Sequence, residues 1–191
     1  MSMTMHVSQQ EMALLNFYRA SELHGGLLLG RVVGRARDPE IVLALTRHAA
    51  EEVRHAEYWT ETILDLGGRP WPVRATYQER YAAAVGPVAS LVDVLALTQI
   101  FERRVYRHFL EHLARDGTHE RVRTTLRTMI DEEKDHLDWV KRWLDAEAER
   151  RPERVAAAMR DYAAVDERVY RALCVEYGWR RPSGIYARVR A

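Results

Sequence analysis

Apolar residues recur along this chain at alternating spacings of three and four, and no segment alternates every second residue as a half-buried strand would. The pattern predicts five long helices. The first covers about 8–36, opens on Ser8 with Glu11 three residues later as a capping box, and carries Met12, Leu15, Arg19, Glu22, Gly26, Leu29 and Val33 on one face. The second begins at Asp38 and Pro39, an N-cap followed by a residue whose missing N–H costs nothing there, and ends at Gly67 and Gly68. Its seam runs Ile41, Leu45, His48, Glu52, His55, Trp59, Thr62 and Leu66.

Residues 67–87 form a connection bounded by Pro and Gly, with one short helix around "YQERYAAAV". A third long helix follows over about 88–115, with Leu91, Leu95, Thr98, Glu102, Val105, Phe109 and His112 on its seam. After "DGT" a fourth covers about 118–149, with Val122, Leu126, Met129, Glu133, His136, Val140 and Trp143. A fifth runs from Pro152 to about Tyr177. The expected fold is all-α: a four-helix bundle of two antiparallel helical hairpins joined by a long crossover, with an additional C-terminal helix. Residues 1–150 would form the bundle, and 151–191 the added helix and a basic tail packed on the same domain.

Each of the four bundle seams is interrupted near its middle by a glutamate, and burial of an unpaired carboxylate costs several kcal/mol, so partners are required. The interruptions are Glu22, Glu52 with His55, Glu102, and Glu133 with His136; two of the four read Glu-x-x-His. A spacing of three places both side chains on one helix face about a turn apart. Arg37 lies midway between Glu22 and Glu52, and Gly117–Thr118 midway between Glu102 and Glu133; both midpoints fall on the turns that the capping signals mark. All six side chains can therefore share one layer. Four carboxylates and two imidazoles suit two iron ions, or manganese and iron, and four negative charges neutralise two divalent cations.

These residues resemble the di-iron carboxylate motif of the ferritin-like superfamily, over about residues 8–149. The resemblance implies that Glu52 and Glu133 bridge two metals, with Glu22 and His55 completing one shell and Glu102 and His136 the other. In several oxygen-activating members an Asp stands where Glu51 and Glu132 stand here and accepts a hydrogen bond from a ligand histidine; either that role or a solvated, salt-bridged one suits these glutamates. Val105 replaces the extra glutamate of rubrerythrins, and one cysteine leaves no rubredoxin site. Val53 stands where bacterioferritins carry their haem-ligating Met, so no haem is expected. The implied activity is an oxidoreductase that activates dioxygen or peroxide for an organic small molecule, with an electron donor. Iron storage with Fe(II) as substrate is the alternative, and self-association stays open.

Several seam residues have ordinary readings as well. Tyr18, Tyr106, Trp59 and Trp139 are expected to fill the core, and His48 to be a satisfied core histidine. Gly25, Gly26 and Gly30 each weaken a helix by about 1 kcal/mol, so they mark either close helix contact or an opening beside the site.

Composition narrows the setting. With 47% hydrophobic and 30% charged residues the 191-residue chain has the balance of a globular protein rather than a disordered one. Twenty-nine basic against twenty-eight acidic residues give a net charge of +1, so no field points to nucleic acid or to an anionic membrane, although four Arg cluster after Trp179. A single Cys174, no signal-peptide pattern and no long apolar run predict a cytoplasmic protein.

Overall fold

The computed structural model describes residues 7–86, 88 and 90–179. Among these residues the secondary structure is entirely helical: α1 (Gln9–Val33), α2 (Pro39–Asp65), α3 (Tyr77–Val85), α4 (Leu91–Leu113), α5 (Glu120–Arg150) and α6 (Pro152–Tyr177). The basic tail from Arg180 onward lies outside the described residues. No helix among the described residues is long and apolar enough to cross a membrane.

The helix ends follow the sequence signals, with one exchange of partners. Asp38 accepts from the backbone N–H groups of Glu40 and Ile41, with Pro39 at the first helical position. Ser8 caps α1 by accepting from Glu11 N–H, but the Glu11 carboxylate accepts from His112 Nε2 at 2.6 Å instead of closing a capping box. The reciprocal box forms at α3, between Thr76 and Glu79. Gly117, at φ 79°, supplies the left-handed residue that lets "DGT" turn the chain between α4 and α5.

Two apolar clusters fill the bundle. At one end Leu15, Trp59, Phe109, Leu126 and Leu173 pack together; at the other Leu29, Leu45, Leu95, Val140 and Val155 do. These sets fix the chain directions. The first cluster takes the early part of α1 and α5 and the late part of α2, α4 and α6, while the second takes the opposite parts. Thus α1 and α2 are antiparallel, α4 and α5 are antiparallel, and α2 and α4 run the same way. A parallel pair cannot be joined by a tight turn, which is why residues 66–90 span the length of the bundle and carry α3 on the way. Every buried glutamate of the seams falls between the two apolar clusters.

α6 is held on the bundle by a buried ion pair. Arg104 Nε donates to Asp166 Oδ2 at 2.7 Å, Tyr77 Oη donates to Asp166 Oδ1 at 2.6 Å, and the Arg104 guanidinium lies 4.4 Å from the centre of the Tyr170 ring. The Asp166 carboxylate thus ties α3, α4 and α6 together. Periodicity places neither Arg104 nor Asp166 on a seam, because a charged side chain buried against its own counter-ion leaves no apolar signal.

Candidate metal centre

The six glutamate and histidine positions singled out by the seam pattern converge in one buried layer, none more than 5% exposed. Their meeting follows from the hairpins, since α1 meets α2, and α4 meets α5, at equal distances from their turns. Two groups result. Glu22, Glu52, His55 and Glu133 form one; His48, Glu52, Glu102 and His136 form the other, and within each group one ligand-type atom per residue lies within 4.8 Å of the others. Glu52 belongs to both. Glu133 also faces both imidazoles, with Oε1 3.5 Å from His55 Nδ1 and Oε2 3.4 Å from His136 Nδ1.

The two histidines are held from behind, each by the opposite helix. His55 Nε2 on α2 donates to Glu132 Oε2 on α5 at 3.0 Å, and His136 Nε2 on α5 donates to Glu51 Oε2 on α2 at 2.9 Å. The hydrogen-bonding reading of Glu51 and Glu132 is the one the geometry realises. With Nε2–H engaged outward, each ring in its neutral form turns its Nδ1 lone pair inward. Nδ1 of His55, Nδ1 of His136, Oε2 of Glu102 and Oε2 of Glu133 are buried without a hydrogen-bond partner. Orphaned atoms of this kind are costly unless something binds them, and two imidazole nitrogens with carboxylate oxygens are the donor set for a divalent transition metal. The residues fit such ions.

His48 was expected to be a satisfied core histidine, and it is hydrogen-bonded at both nitrogens, but its partners belong to the site. Nε2 lies 2.9 Å from Glu102 Oε1 and 3.2 Å from Glu52 Oε1, and Nδ1 accepts from Trp139 Nε1 at 3.3 Å. An indole N–H only donates, so Nδ1 must be bare and Nε2 must carry the proton. His48 is then a donor to two carboxylates rather than a ligand. Trp139, expected as core filler, sets that tautomer. Tyr18 and Trp59 do fill the core, and Tyr18 Oη also meets His112 Nδ1 at 3.1 Å. Tyr106 is half-buried.

Without metal the layer compensates its own charge with protons. Burial, together with the Glu52 and Glu133 charges, raises the Glu22 pKa well above the usual range. Burial raises Glu102 against the opposing pull of His48. Burial also works against ionised Glu52 and Glu133, but the imidazoles of His136 and His48 beside Glu52, and of His136 and His55 beside Glu133, outweigh it and lower both. The histidines shift the other way: burial opposes their charge, yet the carboxylates raise His55 and His136, and bring His48 to about 9. A charged His48 would point Nδ1–H at the Trp139 N–H. Neutralisation of Glu52 and Glu102 by cations removes the reason for that charge and leaves the indole's preference for neutral His48 standing.

The glycines resolve differently. A Cβ on Gly26 would stand 2.9 Å from the Ala49 carbonyl oxygen, so Gly26 permits close α1–α2 contact. A Cβ on Gly25 would stand 2.5 Å from Glu52 Oε2, so Gly25 makes room for a site carboxylate. Gly30 has open space beside it.

A family model described as the ferritin-like domain matches residues 39–148. The chain belongs to this family. The matched residues of this ferritin-like chain run from α2 to the last turns of α5 and include Glu52, His55, Glu102, Glu133 and His136, whereas Glu22 lies before them and joins the layer through the α1–α2 hairpin. No curated protein sequence matches the chain.

Proposed function

We propose that this ferritin-like protein is a dimetal carboxylate oxidoreductase that activates dioxygen or peroxide at a centre of two iron ions, or manganese and iron. Glu22 and His55 would hold one ion and Glu102 and His136 the other, with Glu52 and Glu133 shared between them. The observation that carries this reading is the pair of inward imidazole Nδ1 atoms, each fixed by a glutamate of the opposite helix and facing buried carboxylate oxygens without partners. Two bound ions supply Lewis-acid and redox chemistry at that point.

The chain's own contribution is placement. Glu51 and Glu132 hold the imidazoles in one tautomer. His48 Nε2–H tethers Glu52 and Glu102, and the two apolar clusters keep bulk water from the layer. A groove of about 550 Å³ opens beside the layer and leaves room for an organic molecule, which supports substrate oxidation over mineral storage.

Anaerobic loading with Fe(II), followed by oxygen and a chemical reductant, tests the reading. Repeated oxygen uptake at a constant two bound irons per chain is the expected result. Continued consumption of added Fe(II) into a mineral would show storage instead, and fewer than one metal bound per chain, unchanged by Glu52→Ala, would remove the dimetal centre altogether.

A further inference from the structure

The groove lies between α1, α3 and the start of α4, and its walls change character along its length. Its inner end is bounded by Gln78 and by Phe101, the residue before Glu102. Over Gly25 the Glu52 carboxylate and the Gln78 amide close the same small space, 2.5 and 3.4 Å from where a Cβ would stand. The inner end of the groove therefore reaches Gln78, whose amide shares the space over Gly25 with the carboxylate common to both groups of the site. Gln78 Oε1 is buried there without a partner.

The middle is apolar. Leu27 and Leu28, 52% and 38% exposed, stand opposite Val85 and Leu97, and large exposed side chains lining a concavity call for an apolar occupant. The outer end is cationic: Arg31, in the last turn of α1, and Arg35, in the turn that follows the helix, line it and carry no ion pair among the described residues. The one lining carboxylate, Glu79, is already engaged by Thr76 N–H at 2.7 Å and His24 at 3.6 Å. A helix rises about 1.5 Å per residue, so Arg31 lies about 9 Å along α1 from Gly25, and Arg35 follows just beyond the helix end.

We propose that this groove binds an elongated, mainly apolar molecule with a single anionic group, such as a medium-chain carboxylate, its anion at Arg31 and Arg35 and its apolar end beside Glu52. The volume of about 550 Å³ lies within the roughly 300–1,000 Å³ of small-molecule sites, and a guanidinium pair matches a carboxylate with charge-assisted hydrogen bonds. This assignment names the substrate class of the proposed dimetal centre and rests on that reading.

Calorimetric titration of the full chain with decanoate, and with 1-decanol as the uncharged comparison, tests it, with metal content measured on the same samples. Decanoate should bind at least tenfold more tightly than decanol. Joint Arg31→Glu and Arg35→Glu replacement should weaken decanoate at least tenfold and leave decanol alone, while Leu28→Trp should weaken both. The replaced residues touch none of the site glutamates, so metal content should not change. Equal binding of the two probes, decanoate binding indifferent to the charge reversal, or a dimer that Leu27→Asp dissociates would overturn the proposal. Two retained metals with no decanoate binding would remove the groove assignment and spare the dimetal reading. Decanoate binding in protein that retains no metal would uphold the groove and remove the centre.

Discussion

His136 on α5 donates its Nε2 proton to Glu51 on α2 at 2.9 Å, and the mirror-related bond from His55 on α2 to Glu132 on α5 measures 3.0 Å. The two helices thus orient each other's imidazole. Glu51→Ala and Glu132→Ala should each weaken metal binding by about 10- to 100-fold, since they remove the group that fixes ring orientation while leaving every proposed ligand in place. Competition against a chelator would measure the loss. Both glutamates are partly exposed, so the fold should tolerate the changes, and unaltered metal affinity in a folded variant would assign them to surface solvation.

Trp139 fixes the His48 tautomer through its indole N–H. In Zn(II)-loaded protein, nitrogen NMR should find His48 protonated at Nε2 and bare at Nδ1. Trp139→Phe should keep the fold, cost about 1 kcal/mol for the lost hydrogen bond, and free the ring to change tautomer. An Nδ1-protonated His48 in the unaltered protein would contradict the assignment.

Metal uptake should release protons. In the metal-free layer Glu22, Glu102, His55 and His136 all have raised pKa values, so these groups hold protons that cations must displace. The sign follows directly: as pH falls the protonated forms gain, and apparent metal affinity drops by about tenfold per pH unit for each proton displaced. Calorimetry in two buffers of different ionisation enthalpy counts the protons; a count of zero would be incompatible with this charge balance.

Gly25→Ala should separate the site from the helix. Ala favours a helix over Gly by about 1 kcal/mol, yet its Cβ would fall 2.5 Å from Glu52 Oε2 and force that carboxylate aside. The expected variant keeps its helical circular dichroism and loses metal. Full metal retention would mean that Glu52 can move without consequence.

Asp166 should matter for stability rather than chemistry. Asp166→Ala removes the fully buried counter-ion of Arg104, leaves its guanidinium to the partly exposed Glu167 at 3.1 Å, and should cost about 3–5 kcal/mol in denaturant unfolding, whereas joint Arg104→Met and Asp166→Leu should recover much of that loss, because the buried charge goes with its counter-ion. A single variant as stable as the parent would show that Glu167 suffices as the counter-ion of Arg104.

Much of the fold was legible because the repeat of three and four, Asp38–Pro39 and the Gly-marked turns are local signals, and α2 and α6 begin at the prolines that announced them. The position of the candidate site was legible for a different reason: a carboxylate in the middle of an apolar seam contradicts its surroundings, and two hairpins with equal arms place four such contradictions at one level. Glu51, Glu132, His48 and Trp139 could not be settled that way. Each has an ordinary surface or core reading on its own helix, and only the approach of α2 to α5 decides which imidazole each glutamate meets and which nitrogen of His48 is bare.

The sequence by itself determined the helices, their directions and the six buried ligand-type side chains, since periodicity, capping and charge burial are properties of single segments. Tertiary structure alone decided the crossed histidine supports, the Arg104–Asp166 tie that seats α6, and the groove that runs from Gln78 and Phe101 to Arg31 and Arg35. Those arise between helices distant in the chain, where hydrogen-bond direction and the space left by Gly25 depend on how the helices pack.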